Sequence, residues 1–220
     1  MTPSTGIRFL VVGVGLAIWY ATQYLIGRRA QMAAPEAEKA SSLLTQHDVL
    51  LHALGPANRF LNAHPRWANG LLIVSSAVID VLGIFLLLWS IFGPSIRPFL
   101  GMMILFGLRQ ICQALTALPP PRGMIWRYPG FPSFLVTYGV ANDLFFSGHT
   151  AMAVYGALEL ARFGDSWLFA AVLIAGFETL AVLVLRAHYT MDVFTGVVTA
   201  FLVAGLAGVL APFCDQFLTR

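Results

Sequence analysis

The sequence predicts an all-α, polytopic membrane protein: a six-transmembrane-helix bundle with one interfacial amphipathic helix, built as a single domain from residues 1–220. Three observations carry this. Of 220 residues, 58% are hydrophobic and 10% charged, against roughly 25% charged in soluble domains. Mean hydropathy is +0.78. The apolar residues gather in runs near the ~20 needed to cross a bilayer, with none of the short alternating segments of a β-barrel. Helices are then the structure that bonds its own backbone in lipid.

The elements follow in order. The first span, about 7–26, comes after a short N-terminus with Arg8 and lacks a small-residue cleavage pattern, so it reads as a retained helix. Residues 27–70 contain "EAEKASSLLTQHDVLLHALG", where Leu43, Leu44, Leu50, Leu51 and Leu54 share one helical face. That pattern predicts an amphipathic helix on the membrane surface, with His47 packed on the same face. Spans two and three fall at 71–92 and 98–118. The segment 119–143 opens "PPPRGMIWRYPGFP", whose prolines forbid regular helix and predict an ordered loop. Spans at 144–163, 166–186 and 189–211 complete the bundle, and no internal repeat is visible.

Charge and cysteine usage exclude some classes. The net charge is +3 without a basic stripe, so nucleic acid is not an expected partner. Cys112 and Cys214 form no disulfide or metal pattern. The loops after spans one, three and five carry most of the arginines, which turns that face towards the cytoplasm by the positive-inside rule.

Polar residues in the apolar spans point to chemistry. In "ANDLFFSGHTAMAVYG", Asp143, Ser147 and His149 stand at the mouth of the fourth span. His188 opens the sixth, so alternation brings both histidines to one face of the membrane. Asp192 follows His188 by four residues, a spacing that stacks the two side chains on a helix. A carboxylate on one imidazole nitrogen fixes the tautomer and leaves the other nitrogen as nucleophile. Ser147 suits an N-cap, Gly148 permits close approach, and a helix N-terminus seats an anion. His149 in that first turn is placed to donate a proton. The expected reaction is phosphoryl transfer through a phosphohistidine on His188, with Asp192 as its orienter, His149 as acid/base, and no metal or cofactor. Deeper, Asp80, Arg109 and Glu178 lie at a common depth of roughly 14 Å. Charges there are costly unless paired or facing a wet cavity, so Arg109 is expected to cluster with Glu178, Asp80 or both.

The pair "SGHT" and "HYTMD" resembles the phosphatidic acid phosphatase type 2 superfamily, whose members share a six-helix core. The chain is most similar to its sphingomyelin synthase branch. Asp143, Ser147, Gly148, His149 and Thr150 match the first motif of that branch, and His188, Tyr189, Thr190, Asp192 and Val193 the second. Ala141 and Asn142 replace its usual Cys-Gly, and Gly196 and Val197 its Ala-Tyr. The plant phosphatidylcholine:diacylglycerol cholinephosphotransferases are similar too, through "LFFSGH" and His-Tyr-Thr-x-Asp. Relatives that hydrolyse phosphate monoesters carry Lys-x6-Arg-Pro before the first motif and an arginine six residues before the second histidine. Here that position is Val182, and Lys39, the one lysine, has no such partner.

A phosphodiester carries one negative charge and needs fewer cations than a monoester. The resemblance therefore implies transfer of a phospho-head group from a phospholipid donor to a lipid alcohol such as ceramide or diacylglycerol. A phosphatase or phospholipase C-like hydrolase is the alternative, with Arg122, Arg127 or Arg186 standing in for the missing cations. A non-catalytic scramblase or structural membrane protein is the alternative from another class. Substrate contacts are expected at Asp143, Ser147, Gly148, Tyr189, Arg109, Arg122, Arg127, Trp126 and Tyr128. The aromatics Trp126, Tyr128, Phe131, Phe145 and Phe146 form either a choline cage or an interfacial belt. The expected setting is a bacterial inner membrane or a eukaryotic endomembrane; most relatives in the superfamily face the lumen or periplasm, against the positive-inside count, and a homo-oligomer is left open.

Overall fold

The computed structural model describes residues 3–27, 34–116, 118–138 and 144–218, and among them every regular element is helical. The helices are α1 Pro3–Gly27, α2 Ala34–His47, α3 Val49–Ala53, α4 Gly55–Ala63, α5 Pro65–Phe92, α6 Arg97–Leu115, α7 Gly148–Ala161, α8 Asp165–Val184 and α9 Thr190–Leu218. Local chemistry sets the boundaries. Proline sits in the first turn of α4, α5 and α6, where its missing N–H is not needed. Asp48 and Ser147 cap α3 and α7 with their side chains.

Five helices, α1, α5, α6, α8 and α9, are long and apolar enough to cross a membrane, against the six expected. The fourth expected span is α7, of only 14 residues. At 1.5 Å per residue it measures about 21 Å, short of the ~30 Å hydrocarbon core. Residues 149–157 of α7 are all buried, and α5, α6, α8 and α9 pack around it. Its apolar character reflects enclosure by protein, which hydropathy does not distinguish from exposure to lipid. At the other end of the chain α9 runs through Pro212 to Leu218, beyond the expected stop at 211. Asp215 holds those last turns by accepting from Arg8, Ser95 and the Ile96 N–H.

The segment after α1 also departs from expectation. One amphipathic helix becomes α2, α3 and α4, broken where Asp48 caps α3. The leucine face divides accordingly. Leu43, Leu44 and Leu50 stay exposed, as suits a helix lying on lipid, whereas Leu51 is fully buried. His47, expected to pack, is exposed.

Two apolar cores result. The larger gathers α1, α5, α6, α7 and α9 around Met102, Met152 and Tyr155. The second joins Leu51 and Leu61 of the short helices to Ile125, Val182, Leu185 and Tyr189. Polar bonds lace the same region. Ser41 donates to Pro120 O at 2.6 Å, the Arg122 N–H to Thr45 Oγ1 at 3.0 Å, and Asn58 to both Gly123 O and Val184 O. Arg186 donates to Arg122 O and Leu51 O. The three connections that alternation assigns to one face are thus bonded to one another.

α9 lies tightly against α7 at Gly196, where a Cβ would stand 2.8 Å from Ser147 O and 3.3 Å from Ala151 N. Gly196→Val therefore forces two helices apart. It is expected to destabilise by about 1–3 kcal/mol, read as a lowered thermal unfolding midpoint in detergent.

Candidate active site

Two helix starts meet on the face where the three connections join. The Ser147 N–H donates to the Asp192 carbonyl at 3.1 Å, which sets the first turn of α7 against the first turn of α9. Just before α9, the His188 Nδ1–H donates to Asp192 Oδ2 at 3.2 Å, and the same oxygen accepts the Tyr189 N–H at 3.1 Å, so the carboxylate reaches back from the first turn of the helix. Both side chains are buried. Ser147 Oγ accepts the Thr150 N–H at 3.3 Å and donates to Thr150 Oγ1 at 3.0 Å, completing the α7 cap.

His149 sits in that first turn, edge-on to Trp126 with centroids 5.1 Å apart and planes at 89°. His188 and Arg109 both bear on it electrostatically. Its Nε2 is buried and, among the described residues, has no hydrogen-bond partner. A cavity of about 30 Å³ opens beside it, lined by Arg109, Trp126, Gly148 and His149 with Trp19 and Phe106. Arg109 lies against Gly148: a Cβ there would be 2.7 Å from Nε. The glycine thus lets a guanidinium reach the N-terminus of α7, where backbone N–H groups and the helix dipole already favour an anion.

Both motifs are approached through left-handed backbone. Phe145 has φ +84° and Arg186 has φ +52°. Such conformations cost of order 1–3 kcal/mol in a non-glycine residue and persist where surrounding bonds over-determine them. Arg186 has those bonds, through its side chain to Arg122 O and Leu51 O, and Ile125 N–H donates to Leu185 O at 2.8 Å beside it.

Other expected site residues are placed apart. Arg122 is exposed and donates to Ser42 at 3.3 Å; Arg127, also exposed, donates to Asn69 at 2.9 Å. Tyr189 buries its ring in the second core and donates its hydroxyl to Pro119 O at 2.9 Å. Burial pushes that hydroxyl up to about 12, so it serves as a neutral peg. Asp143 lies outside the described residues. Of the aromatics only Trp126 lines the cavity: Tyr128, Phe131 and Phe145 are exposed and Phe146 is in the main core, so these five do not converge as a cage.

The deep charges sort differently from the expected cluster. Glu178 accepts from Ser75 at 2.7 Å, while Asp80 accepts the Ser133 hydroxyl and the Phe134 and Leu135 N–H groups. Asp80 thus fastens the long loop, and Arg109 goes to the cavity. Sequence reasoning passed over Asp48, which bonds Thr190 between His188 and Asp192. Its signal was a lone carboxylate breaking the leucine pattern three residues before Leu51, a capping spacing.

Neither the curated proteins nor the solved structures gave a significant match. The family model AtPDCT1/2, that of the phosphatidylcholine:diacylglycerol cholinephosphotransferases, matches residues 47–209, from the last residue of α2 into α9. With both histidine motifs, Arg109 and Asp48 inside a match over most of its length, the chain belongs to the AtPDCT1/2 family.

Proposed function

We propose that this integral membrane protein moves a phosphocholine head group from phosphatidylcholine to a lipid alcohol, diacylglycerol first, through a phosphohistidine on His188. The observation that carries the reading is the bond from His188 Nδ1–H to Asp192 Oδ2. With Nδ1 engaged, Nε2 keeps the lone pair and is the nucleophile. Nε2 attacks phosphorus, the bond from phosphorus to the diacylglycerol oxygen breaks, and His149 gives that oxygen a proton. In the second half the acceptor hydroxyl returns a proton to His149 while its oxygen attacks phosphorus. The P–N bond then breaks, and His188 and His149 are restored.

The charge around the cavity suits a diester. Arg109 and the α7 N-terminus balance a single negative charge. Arg122, Arg127 and Arg186, the stand-ins that monoester hydrolysis would call on, are bonded elsewhere. Val182, at the position where monoester-hydrolysing relatives carry arginine, is fully buried in the second core and leaves no room for a cation. A cavity of about 30 Å³ takes a water but not a head group. Trp126 and the 135–137 segment that line it must therefore shift to admit substrate. The helices read as multi-pass, with the site on the face of α2–α4.

The test is purified protein with head-group-labelled phosphatidylcholine, offered diacylglycerol, ceramide or water in turn. Label in new phosphatidylcholine with diacylglycerol supports the reading; label only as free phosphocholine makes the protein a hydrolase. His188→Ala is expected to lower turnover by about 10⁴-fold or more, the scale seen when a nucleophile is removed. Lipid movement across the bilayer that survives His188→Ala, with no transfer in the wild type, would mark a scramblase. Gly148→Ala is expected to displace Arg109 and lower kcat/KM by about 10²-fold, measured in the same assay, while the histidines stay in place.

A further inference from the structure

Asp48 belongs to neither histidine motif and stands at the junction of α2 and α3, yet its carboxylate serves two helices. As the N-cap of α3, Oδ1 accepts the Leu51 N–H at 3.2 Å. Oδ2 accepts the Thr190 N–H at 2.7 Å, and Oδ1 also accepts the Thr190 hydroxyl. Thr190 is the first residue of α9 and lies midway between His188 and Asp192.

A helix start presents N–H groups without intrahelical partners at the positive end of its dipole. α9 meets this with two carboxylates. Asp192, from its own first turn, takes the Tyr189 N–H; Asp48, 142 residues away, takes the next N–H. The turn that carries His188 enters from the left-handed Arg186, a conformation that needs outside restraint. Bonds to Arg122, Leu51 and Ile125 hold it on the near side of His188. Asp48 holds it on the far side, and reaches His188 through Tyr189 and Thr190.

We propose that Asp48 is a positioning residue for the His188–Asp192 pair: by tying the start of α9 to the start of α3, it fixes the backbone from which both side chains project. The inference rests on the reading of His188 as nucleophile. It makes the surface helices part of the catalytic frame, because a shift of α3 is passed by one carboxylate to the turn between nucleophile and orienter.

The test uses the full chain in the transfer assay. Asp48→Asn keeps the size and one acceptor oxygen but, in either orientation of the amide, sets an NH₂ against the Thr190 or the Leu51 N–H, so one of the two ties is lost. It is expected to lower kcat by about 10- to 100-fold, the scale of a small misplacement of reacting groups, with KM within about 2-fold. Thr190→Val, which loses the hydroxyl bond, should lose part of the same factor, and Thr190→Ser, which keeps both bonds, should restore it. A double-mutant cycle separates positioning from general damage. In an Asp192→Asn background, Asp48→Asn should cost less than about 2-fold, because no ordered pair is left to position.

Two results overturn the proposal: a wild-type kcat for Asp48→Asn, or an equal loss in both backgrounds. If Asp48→Asn does not fold, judged by thermal unfolding, Thr190→Val and Thr190→Ser carry the cycle with the same criteria. The two readings fail separately. A dead His188→Ala with a fully active Asp48→Asn removes only the role of Asp48, whereas a fully active His188→Ala removes the nucleophile itself and the positioning role with it.

Discussion

One backbone hydrogen bond, from the Ser147 N–H to the Asp192 carbonyl, holds the start of α7 against the first turn of α9. Everything at the site depends on that contact. It sets His149, two residues past the α7 cap, within electrostatic reach of His188. Gly196 makes the contact possible, since any larger residue would press on Ser147 O. Gly148 does the corresponding service on the other side of α7, letting Arg109 lie at the helix N-terminus. Two missing side chains thus admit a second helix and a guanidinium to the same turn of backbone.

The frame around this contact is polar, although the bundle is apolar. α2, α3 and α4 bond to the proline-rich loop through Ser41, Thr45 and Asn58, and to the turn before α9 through Asn58 and Asp48. The second core fills the space beneath those bonds with Leu51, Leu61, Ile125 and Leu185. Such a frame can hold the left-handed Arg186 that aims the His188 turn. At the far end of the bundle Arg8 and Asp215 tie α1 to α9 at 3.2 Å, so the helices are pinned at both faces.

The sequence carried the local geometry of the two histidine motifs because the relevant spacings are short. The four-residue spacing brings Asp192 to His188, although His188 stands in the turn before α9 and the carboxylate reaches back to it, and Ser147 before Gly148 and His149 forms the cap. The alternation of spans also brought the correct three connections together. What the sequence did not carry depends on who covers an apolar residue. Helix α7 is greasy because protein encloses it, so hydropathy overcounted the long spans by one. The leucine face of residues 43–54 looked continuous, but Asp48 breaks it, and Leu51 turns inward while Leu50 stays outside. The partners of Asp80, Arg109 and Glu178 were likewise beyond reach, because depth in a span says nothing about which neighbour a charge faces.

The central claim is that a covalent phosphocholine rests on His188 between the two half-reactions. It is tested most directly by mixing the protein with phosphatidylcholine in the absence of acceptor, quenching in base to preserve a P–N bond, and mapping the modified peptide by mass spectrometry. The account predicts phosphocholine on the peptide bearing His188, discharged when diacylglycerol is added. Phosphocholine on His149 instead, or steady transfer with no modified histidine at any time, would contradict it.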